Sequence, residues 1–440
     1  MTNVSIISLG CSKNLVDSEI MSGILEDKGF YLTDDAENAE VIIVNTCAFI
    51  DEAKEEAINT ILEMARYKET GSLKKLIVTG CLAERYKDEV LRELPEVDAI
   101  VGVSRFDEIA DIIKSGTSEF LGNENAAYPE SAPRITATPF YTSYIKIAEG
   151  CDNRCTYCAI PMIRGKYRSR KTEDILSEAK RLAENGTKEL IVIAQDTTRY
   201  GEDLYGESKL PELLTALAKI KDFSWIRVLY MYPERITDEI LDVFEKNENI
   251  VNYFDIPIQH ISAKVLKRMG RPCKGEDIKA LISKIREKLP ESTIRTTLMT
   301  GFPGEDEEDF LELCDFVKNT KFDRLGVFAY SREEGTPADK LTGHLDEEIK
   351  CARRDKIMEI QKEISAENCK KYIGKTLPVL AEMIADDICM GRCAFDAPEI
   401  DGSVYFTGAG EGVLGDIVPV LITDADEYDL KGEMQGEFTE

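Results

Sequence analysis

Three cysteines stand close together in the segment Cys151-Asp-Asn-Arg-Cys155-Thr-Tyr-Cys158. Three thiolates in so short a loop can ligate three irons of a 4Fe–4S cube and leave the fourth iron without a protein ligand from this loop. A structural zinc site normally has four ligands, and an electron-transfer cluster normally has four cysteines. The spacing therefore predicts a cluster with one coordination position open for a substrate or cofactor. A zinc knuckle or a chance grouping is the alternative.

Three more cysteines, Cys11, Cys47 and Cys81, each follow an apolar run rich in β-branched residues: VSIISLG, EVIIVNT and KKLIVTG. A plausible helix comes after each cysteine, such as DEAKEEAINTILEMARYK after Cys47. Strands that alternate with helices predict a parallel sheet, and ligands bind beyond the carboxyl ends of such strands. We expect the three cysteines to converge at that edge as a second triad with an open iron. The alternative is that each is buried as a small apolar side chain.

Only two of the 440 residues are histidines, His260 and His344, whereas twelve are cysteines. A zinc hydrolase or a Cys/His nucleophilic site usually needs several imidazoles, so the composition argues against both. No apolar run reaches the length of a membrane span, and the start MTNVSIISLGC lacks the basic segment of a signal peptide. We therefore expect a cytoplasmic protein without a membrane partner. The net charge of −28 favours a basic partner over nucleic acid.

Two or three domains must position these cysteines, since 440 residues exceed one ordinary domain. Residues 1–120 are predicted to form an N-terminal parallel α/β sheet domain, and the proline-containing stretch 121–139 is predicted to be a linker. Residues 140–368 repeat a strand–helix pattern, which predicts a partial (β/α)6 barrel with its site at the carboxyl ends of the strands. Residues 369–440 are predicted to form a small all-β barrel. The six core strands are predicted at 144–150, 189–195, 225–231, 252–258, 293–300 and 324–330.

The C-x3-C-x2-C loop, with an aromatic residue before its last cysteine, is similar to the signature of the radical S-adenosylmethionine (SAM) superfamily. Together with the N-terminal cysteines and the C-terminal barrel, which resembles a TRAM domain, the whole chain resembles the methylthiotransferase family. This resemblance implies a radical SAM cluster on the loop cysteines, an auxiliary 4Fe–4S cluster on the N-terminal cysteines, and SAM as cofactor. It implies transfer of a methylthio group to an unactivated carbon, without an acid–base residue. It also implies a reducing partner such as flavodoxin or ferredoxin, and a sulfur donor.

Members of this family modify either transfer RNA bases or the β-carbon of an aspartate in small-subunit ribosomal protein S12. The segment SLGCSKNLVDSE is similar to the ribosomal-protein branch, because the transfer RNA branch tends to have Gln-Met-Asn or Gln-x-Asn where Ser12-Lys13-Asn14 stands. The segments FDIPIQH and AYSREEGTPA match the same branch. Residues 370–440 carry five basic and fifteen acidic residues, a net charge of −10, which suits a cationic ribosomal protein better than RNA. Acidity that serves only solubility is the alternative.

Two other functions remain open at this point. A transfer RNA base methylthiotransferase would share all of the chemistry and differ in its substrate. A non-catalytic iron–sulfur or zinc-binding scaffold would need the cysteines but not SAM. The motif and the acidic C-terminal residues favour the ribosomal-protein substrate over both.

Six polar or glycine residues at the predicted strand ends are candidates for binding SAM. The alternatives are a helix cap for the residues after the second strand, a structural role for the histidine, and an ordinary tight turn for the glycines. The candidates are Gln195, Asp196, Gln259, His260, Gly301 and Gly304.

A run of basic residues follows the cysteine loop and could hold the carboxylate of the cofactor or the substrate, with a solvated face as the alternative. The run consists of Arg164, Lys166, Arg168, Arg170 and Lys171. Four further cysteines lack matching partners and are predicted to be structural, namely Cys273, Cys314, Cys351 and Cys369. Cys389 and Cys393 form an isolated C-x3-C pair, which is weak as a metal signal.

Overall fold

The computed structural model describes residues 2–115, 119–120, 128–130 and 132–436. Part of the predicted linker, residues 121–127 and 131, therefore lies outside the described residues, as do residues 437–440 of the predicted C-terminal barrel. The described residues contain two six-stranded parallel sheets, a two-stranded ribbon and a closed five-stranded barrel. No helix among them is long and apolar enough to cross a membrane.

The N-terminal sheet is parallel throughout, with the strand order β2-β1-β3-β4-β5-β6. Its central strand VIIVNT is fully buried, because Ile42 and Val44 pack on one face while Val41 and Ile43 pack on the other. A strand covered on both faces is apolar along its whole length, which is the pattern seen in the sequence. The strands are β1 (Asn3–Ser8), β2 (Tyr31–Leu32), β3 (Val41–Thr46), β4 (Lys75–Gly80), β5 (Ala99–Val101) and β6 (Glu119–Phe120), and the helices are α1 (Ser12–Asp27), α2 (Asp51–Ala65), α3 (Tyr67–Thr70), α4 (Cys81–Arg85), α5 (Lys87–Glu93) and α6 (Ile109–Lys114).

The central sheet has six parallel strands that lie in chain order, and its first and last strands do not pair in the described part of the chain. This open arrangement confirms the predicted six-stranded core. The strands are β7 (Thr142–Lys146), β10 (Glu189–Ile193), β11 (Trp225–Val228), β12 (Ile250–Asp255), β13 (Thr293–Thr300) and β14 (Arg324–Ala329), and the ribbon is β8 (Ala148–Glu149) with β9 (Arg168–Ser169).

Helices connect consecutive strands of the central sheet and cover its outer side. The amphipathic helix TEDILSEAKRLAE, for example, buries Ile175, Ala179 and Leu182 in the same apolar core as strands β7 and β10. The helices are α7 (Ile160–Arg164), α8 (Thr172–Glu184), α9 (Glu202–Tyr205), α10 (Leu210–Leu217), α11 (Asp238–Lys246), α12 (Ala263–Arg268), α13 (Gly275–Lys288), α14 (Glu307–Thr320) and α15 (Glu347–Lys370).

Four of the core strands were predicted to continue further at their carboxyl ends than they do in the structure. Strands β7, β10, β11 and β12 end before Gly150, Gln195, Met231 and Ile258, which the sequence pattern had included. Beyond these ends the chain remains buried and largely apolar, which resembles the pattern of a strand. It no longer pairs with the neighbouring strand, however, and forms loops over the sheet. These loops carry most of the candidate site residues.

The C-terminal barrel is closed in the order β15-β16-β17-β19-β18. Alternate residues point inward, as Val418, Val420 and Ile422 do along one strand, which gives the period of two expected for a strand with one buried face. This confirms the predicted small all-β barrel. The strands are β15 (Thr376–Ala385), β16 (Ile388–Cys393), β17 (Val404–Thr407), β18 (Ile417–Ala425) and β19 (Leu430–Met434).

Candidate active site

The structure brings the three N-terminal cysteines together at one edge of the first sheet. They follow β1, β3 and β4, which are adjacent strands. In the register of the sheet, Ser8 pairs with Asn45 and Asn45 pairs with Thr79, so the three strands end at the same height. Each strand continues two or three residues further to a cysteine: Cys11, Cys47 and Cys81. We call these three residues the N-terminal triad.

Two glycines allow the strand ends to approach so closely. Gly10 has a φ of +85°, and a Cβ atom there would lie 2.6 Å from the Cβ of Cys47. Gly80 has a φ of +89°, and a Cβ atom there would collide with the side chain of Asn45. Any other residue would therefore be strained in its backbone and would push the triad apart.

Asn14 connects the turns that carry the N-terminal triad. Its Nδ2 donates to the carbonyl oxygens of Leu9 at 3.0 Å and Thr46 at 2.9 Å. Its Oδ1 accepts from Nη2 of Arg164 at 2.6 Å and lies 3.9 Å from Sγ of Cys81. One buried amide thus joins two strand ends to a guanidinium from the next domain.

The three thiols differ in their tendency to ionise. Desolvation by the surrounding protein opposes ionisation of Cys11, but the charges of Lys13 and Arg164 and hydrogen bonds from the backbone N–H groups of Asn14 and Lys13 together outweigh it and lower the pKa of this thiol. Burial raises the pKa of Cys47 and raises the pKa of Cys81 to about 12. Both buried thiols also experience the negative charge of Cys11, so the three sulfurs lie within electrostatic reach of one another.

The second group of cysteines, Cys151, Cys155 and Cys158, lies in the loop after β8; we call it the loop triad. The backbone N–H of Cys151 donates to the carbonyl of Gly165 at 3.1 Å, and that of Cys158 donates to the carbonyl of Cys155 at 3.2 Å. Burial, together with the charge of neighbouring cysteines of the triad, raises the pKa of Cys151 to about 11 and that of Cys158 to about 12.

An aromatic and a cationic side chain cover Cys155. The hydroxyl of Tyr232 contacts its Sγ, and Nη1 of Arg271 lies 4.0 Å from the same sulfur. The guanidinium of Arg271 also stacks on the ring of Tyr232, 4.0 Å from its centroid, and donates to the carbonyl of Pro257 at 2.6 Å. Sequence reasoning missed both residues, because they come from a strand end and a helix end that are distant from the cysteine loop in the chain.

Both triads have the donor chemistry that an iron–sulfur cluster requires. Each offers three thiols, the soft ligands that iron–sulfur clusters use, and a coordinating thiol gives up its proton even when burial has raised its pKa. Among the described residues, no three His, Cys, Asp or Glu side chains converge on the position of a single metal ion. In a 4Fe–4S cube, the three thiolates bind three different irons. Three cysteines arranged around such a cube therefore do not need to converge on the position of one metal ion.

Two of the candidate SAM residues lie beside the loop triad. Gln195 donates from Nε2 to Glu149 at 2.8 Å, while its Oε1 is buried and has no hydrogen-bond partner within the described ranges. Asp196 accepts from Asn153, a residue of the cysteine loop, at 2.7 Å and from Thr198 at 2.5 Å. Asp196 therefore orients the loop, and the free oxygen of Gln195 is available to a ligand.

Two of the other four candidates, His260 and Gly301, meet at Glu305. Nε2 of His260 lies 3.4 Å from Oε2 of Glu305, and the backbone N–H of Gly301 donates to the same oxygen at 2.9 Å. Gln259 has a φ of +74° and bridges to β13 through its backbone. A Cβ atom on Gly301 would collide with Lys350, and one on Gly304 would lie 2.8 Å from Nε of Arg268, so these glycines allow close approach of protein side chains. Contact of all six candidates with SAM stays a prediction.

Arg164 and the segment Tyr230–Tyr232 each link the two triads. Arg164 follows Cys158 by six residues and reaches the N-terminal triad through Asn14. On the other side, Nζ of Lys13 lies 3.0 Å from the ring centroid of Tyr230, while Tyr232 contacts Cys155. Because Tyr230 and Tyr232 are two positions apart in the chain, their Cα atoms are at most about 7 Å apart. The side chains that contact the two triads are therefore close in space; we call the region between the triads the inter-triad region.

The basic run after the loop triad is divided between the interior and the surface. Arg164 and Arg170 are buried, so the alternative of a solvated face is wrong for these two. Arg170 contacts Glu130 and Glu178, while Lys166 and Lys171 are exposed and Arg168 is half-buried. The cysteines outside both triads lie in apolar cores, with Cys351 half-buried on α15.

Three family models match successive parts of the chain. Uncharacterized protein family UPF0004 matches residues 3–102, the Radical SAM superfamily matches residues 145–317, and the TRAM domain matches residues 373–434. A radical SAM domain implies one 4Fe–4S cluster and SAM.

Solved structures share the fold at low sequence identity. The radical SAM methyltransferase TsrM from Kitasatospora setae, solved with tryptophan and a SAM analogue, superposes with a TM-score of 0.57 at 13% identity, covering 88% of this chain and 79% of that one. The cobalamin-dependent radical enzyme OxsB gives a TM-score of 0.51 at 13% identity, covering 83% and 56%. These likenesses show the architecture alone.

Curated relatives match the chain over its whole length. The ribosomal protein uS12 methylthiotransferase RimO of Clostridioides difficile (strain 630) is 55% identical, covering 99% of both chains. The protein of the same name from Acetivibrio thermocellus is 51% identical, covering 99% of this chain and 98% of its own. With this identity over all three domains, the chain belongs to the RimO family of radical SAM methylthiotransferases.

Proposed function

We propose that this protein transfers a methylthio group to the β-carbon of an aspartate in ribosomal protein uS12. The observation that supports the proposal is the proximity of the two sets of three thiols, which are linked through Tyr230–Tyr232 and through Arg164. Full-length identity to proteins named uS12 methylthiotransferase supports the choice of substrate. The acidic C-terminal barrel supports it further, because ribosomal proteins are cationic.

The loop triad would hold the radical SAM cluster and the N-terminal triad an auxiliary 4Fe–4S cluster. When bound, these groups supply the electron that cleaves SAM, the radical that abstracts hydrogen from the substrate carbon, and the sulfur that is transferred. The chain itself supplies position and shielding. Asp196 orients the cysteine loop through Asn153, Gln195 offers a free acceptor oxygen, and Arg271 places a positive charge beside Cys155.

The remaining assignments complete this proposal. A flavodoxin or ferredoxin would deliver electrons, and a separate donor would restore the transferred sulfur. The cytoplasm, where the ribosomal substrate resides, is the proposed location. We propose domains at 1–120, 140–368 and 369–440 with a linker at 121–139, in agreement with the spans of the three family models.

A reconstitution experiment tests the function. The protein is loaded anaerobically with iron and sulfide and incubated with SAM, dithionite and either purified uS12 or transfer RNA. We expect mass spectrometry to find a methylthio group on an aspartate of uS12 and none on RNA. A methylthio group on RNA alone would overturn the substrate, and zinc in place of iron and sulfide would overturn the enzymatic function.

A further inference from the structure

Lys13 is a buried cation in the inter-triad region, and no carboxylate of the described residues pairs with it. Its side chain is only 6% exposed, and its ammonium lies over the ring of Tyr230. Within the described ranges, no carboxylate lies within ion-pair distance of its Nζ, and no hydrogen-bond acceptor is in contact with it. A buried ammonium is costly unless it is paired, and an aromatic face offsets only part of that cost.

The neighbouring cations show what a paired group in this region looks like. Lys146 contacts both Asp17 and Glu149, and Arg164 contacts the same two carboxylates. Asp255, which accepts from the backbone N–H of Tyr230 at 2.9 Å, also accepts from Arg295 at 2.8 Å. The described residues therefore provide Lys13 with a ring to lie on and with the nearby thiol of Cys11, but with no carboxylate partner.

The position of Lys13 indicates which ligand could supply a carboxylate partner. Lys13 stands two residues after Cys11 of the N-terminal triad, and its ammonium lies on the ring of Tyr230. Tyr230 is two residues before Tyr232, which contacts the loop triad. A group bound to Lys13 would thus lie between the two triads.

We propose that Lys13 binds the carboxylate of the acidic side chain that is modified, and so holds its carbon chain between the triads. This inference rests on the proposed function and adds the residue that recognises the substrate. An anionic side chain would supply the carboxylate partner that the described residues do not give Lys13, whereas a neutral nucleobase would not. Lys13 is in this account a substrate-binding residue, and it takes no part in bond making.

A comparison of two substrates against three variants tests this proposal. The loaded protein, Lys13→Met, Lys13→Arg and Lys28→Met are titrated anaerobically, without reductant, with uS12 and with uS12 whose modified aspartate is replaced by asparagine. Lys28→Met is the matched control, because it removes the same charge from the exposed far end of the same helix. The measured quantity is the Kd for each pair.

We expect wild type and Lys28→Met to bind the aspartate substrate about 10- to 100-fold more tightly than the asparagine substrate, the range for a hydrogen bond between charged groups. Lys13→Met should bind both substrates with the weaker affinity, and Lys13→Arg should keep part of the discrimination. Equal weakening towards both substrates, unchanged discrimination, or loss of iron and sulfide in both Lys13 variants would overturn the proposal. If the proposed function itself is wrong, the wild-type protein will neither bind nor modify uS12.

Discussion

At the scale of single residues, the two triads differ from the other cysteines in what surrounds them. Cys47 and Cys81 experience the charge of Cys11 and of Arg164, and Cys151 and Cys158 experience that of Cys155. The remaining cysteines are isolated in apolar cores or, like Cys351, half-buried on a helix. Reactivity and ligation depend on such surroundings more than on the thiol itself.

Replacing Cys81 by Ala should remove one ligand of the auxiliary cluster without disturbing the loop triad. We expect iron and sulfide per chain to fall to about half of the wild-type content, while SAM cleavage by dithionite persists and methylthio transfer stops. Colorimetric iron and sulfide analysis measures the first effect. Cys351→Ala is the control, and unchanged iron in Cys81→Ala would contradict the assignment.

Arg164 balances the charges between the triads. It contacts Glu149 and Asp17 and donates to Asn14, and all three N-terminal thiols experience its charge. Its own pKa is raised, because the two carboxylates outweigh the effect of burial.

Arg164→Gln should therefore be strongly destabilising. Loss of one partner from a buried ion pair costs about 3–5 kcal/mol of the free energy of unfolding. Urea unfolding measures this, and we also expect less iron at the N-terminal triad. The exposed pair formed by Arg354 with Asp355 provides the control, since Arg354→Gln should change stability by less than about 1 kcal/mol. Equal stability of the two variants would refute the central role of Arg164.

At the scale of elements, the strand-to-helix turns decide the geometry of the N-terminal triad. Strand β1 passes through Leu9 and Gly10 into α1, whose first backbone N–H groups point at Cys11. The turn is tight because Gly10 takes a φ that other residues avoid and presses directly against Cys47.

Gly10→Ala should combine backbone strain with a collision, whereas Gly29→Ala should produce strain alone. Both glycines have a φ above +80°, but a Cβ atom on Gly29 meets nothing within 4 Å. We expect the positive φ to cost each variant about 1–2 kcal/mol and the collision to add about 1–3 kcal/mol in Gly10→Ala. Thermal or urea unfolding of the loaded protein measures the difference. If both variants lose the same stability, the approach of Gly10 to Cys47 is not a constraint.

At the scale of the whole molecule, buried ion pairs join the three domains. Glu333, in the loop after β14, accepts from Arg85 at 2.7 Å and Lys54 at 3.0 Å, which ties the central domain to the N-terminal one. Glu189, at the start of β10, accepts from Arg227 at 2.8 Å and from Arg392 of the C-terminal barrel at 2.6 Å. These contacts hold the N-terminal domain and the C-terminal barrel against the central domain.

Acid should weaken the contact between the barrel and the core. Burial raises the pKa of Glu189, but Arg392 and Arg227 outweigh it, so the folded pKa lies below the unfolded one. A lowered carboxyl pKa stabilises the fold above the unfolded value, about 4.3, and this contribution is lost as the pH falls towards the folded value. Glu178, between Arg170 and Arg134, acts in the same direction.

We expect the free energy of unfolding to decrease as the pH falls below about 4.3, and Glu189→Gln to decrease less steeply over this range. At neutral pH the variant should be about 3–5 kcal/mol less stable than wild type, because two buried guanidinium groups lose their common partner. Urea titrations at several pH values measure both effects. Glu433→Gln, on the exposed side of the barrel, is the control, and parallel pH curves for all three proteins would contradict the assignment.

The sequence by itself determined the chemistry and the order of the elements. The spacing of Cys151, Cys155 and Cys158 indicates an open cluster, and β-branched runs ending in Cys11, Cys47 and Cys81 indicate equivalent strand ends, because both signals are local in the chain. Central strand positions were predictable for the same reason, although their carboxyl ends were not, since buried loops there are as apolar as strands.

Only the tertiary structure decided which charges are buried and what they face. Lysine and arginine are mostly exposed in proteins, so nothing in the chain marks Lys13, Lys146 or Arg164 as interior residues. Their burial follows from the packing of the first sheet against the second, which brings together groups more than 100 positions apart. Composition can reveal that a chain carries charge, but the partner of each charge is a property of the folded molecule alone.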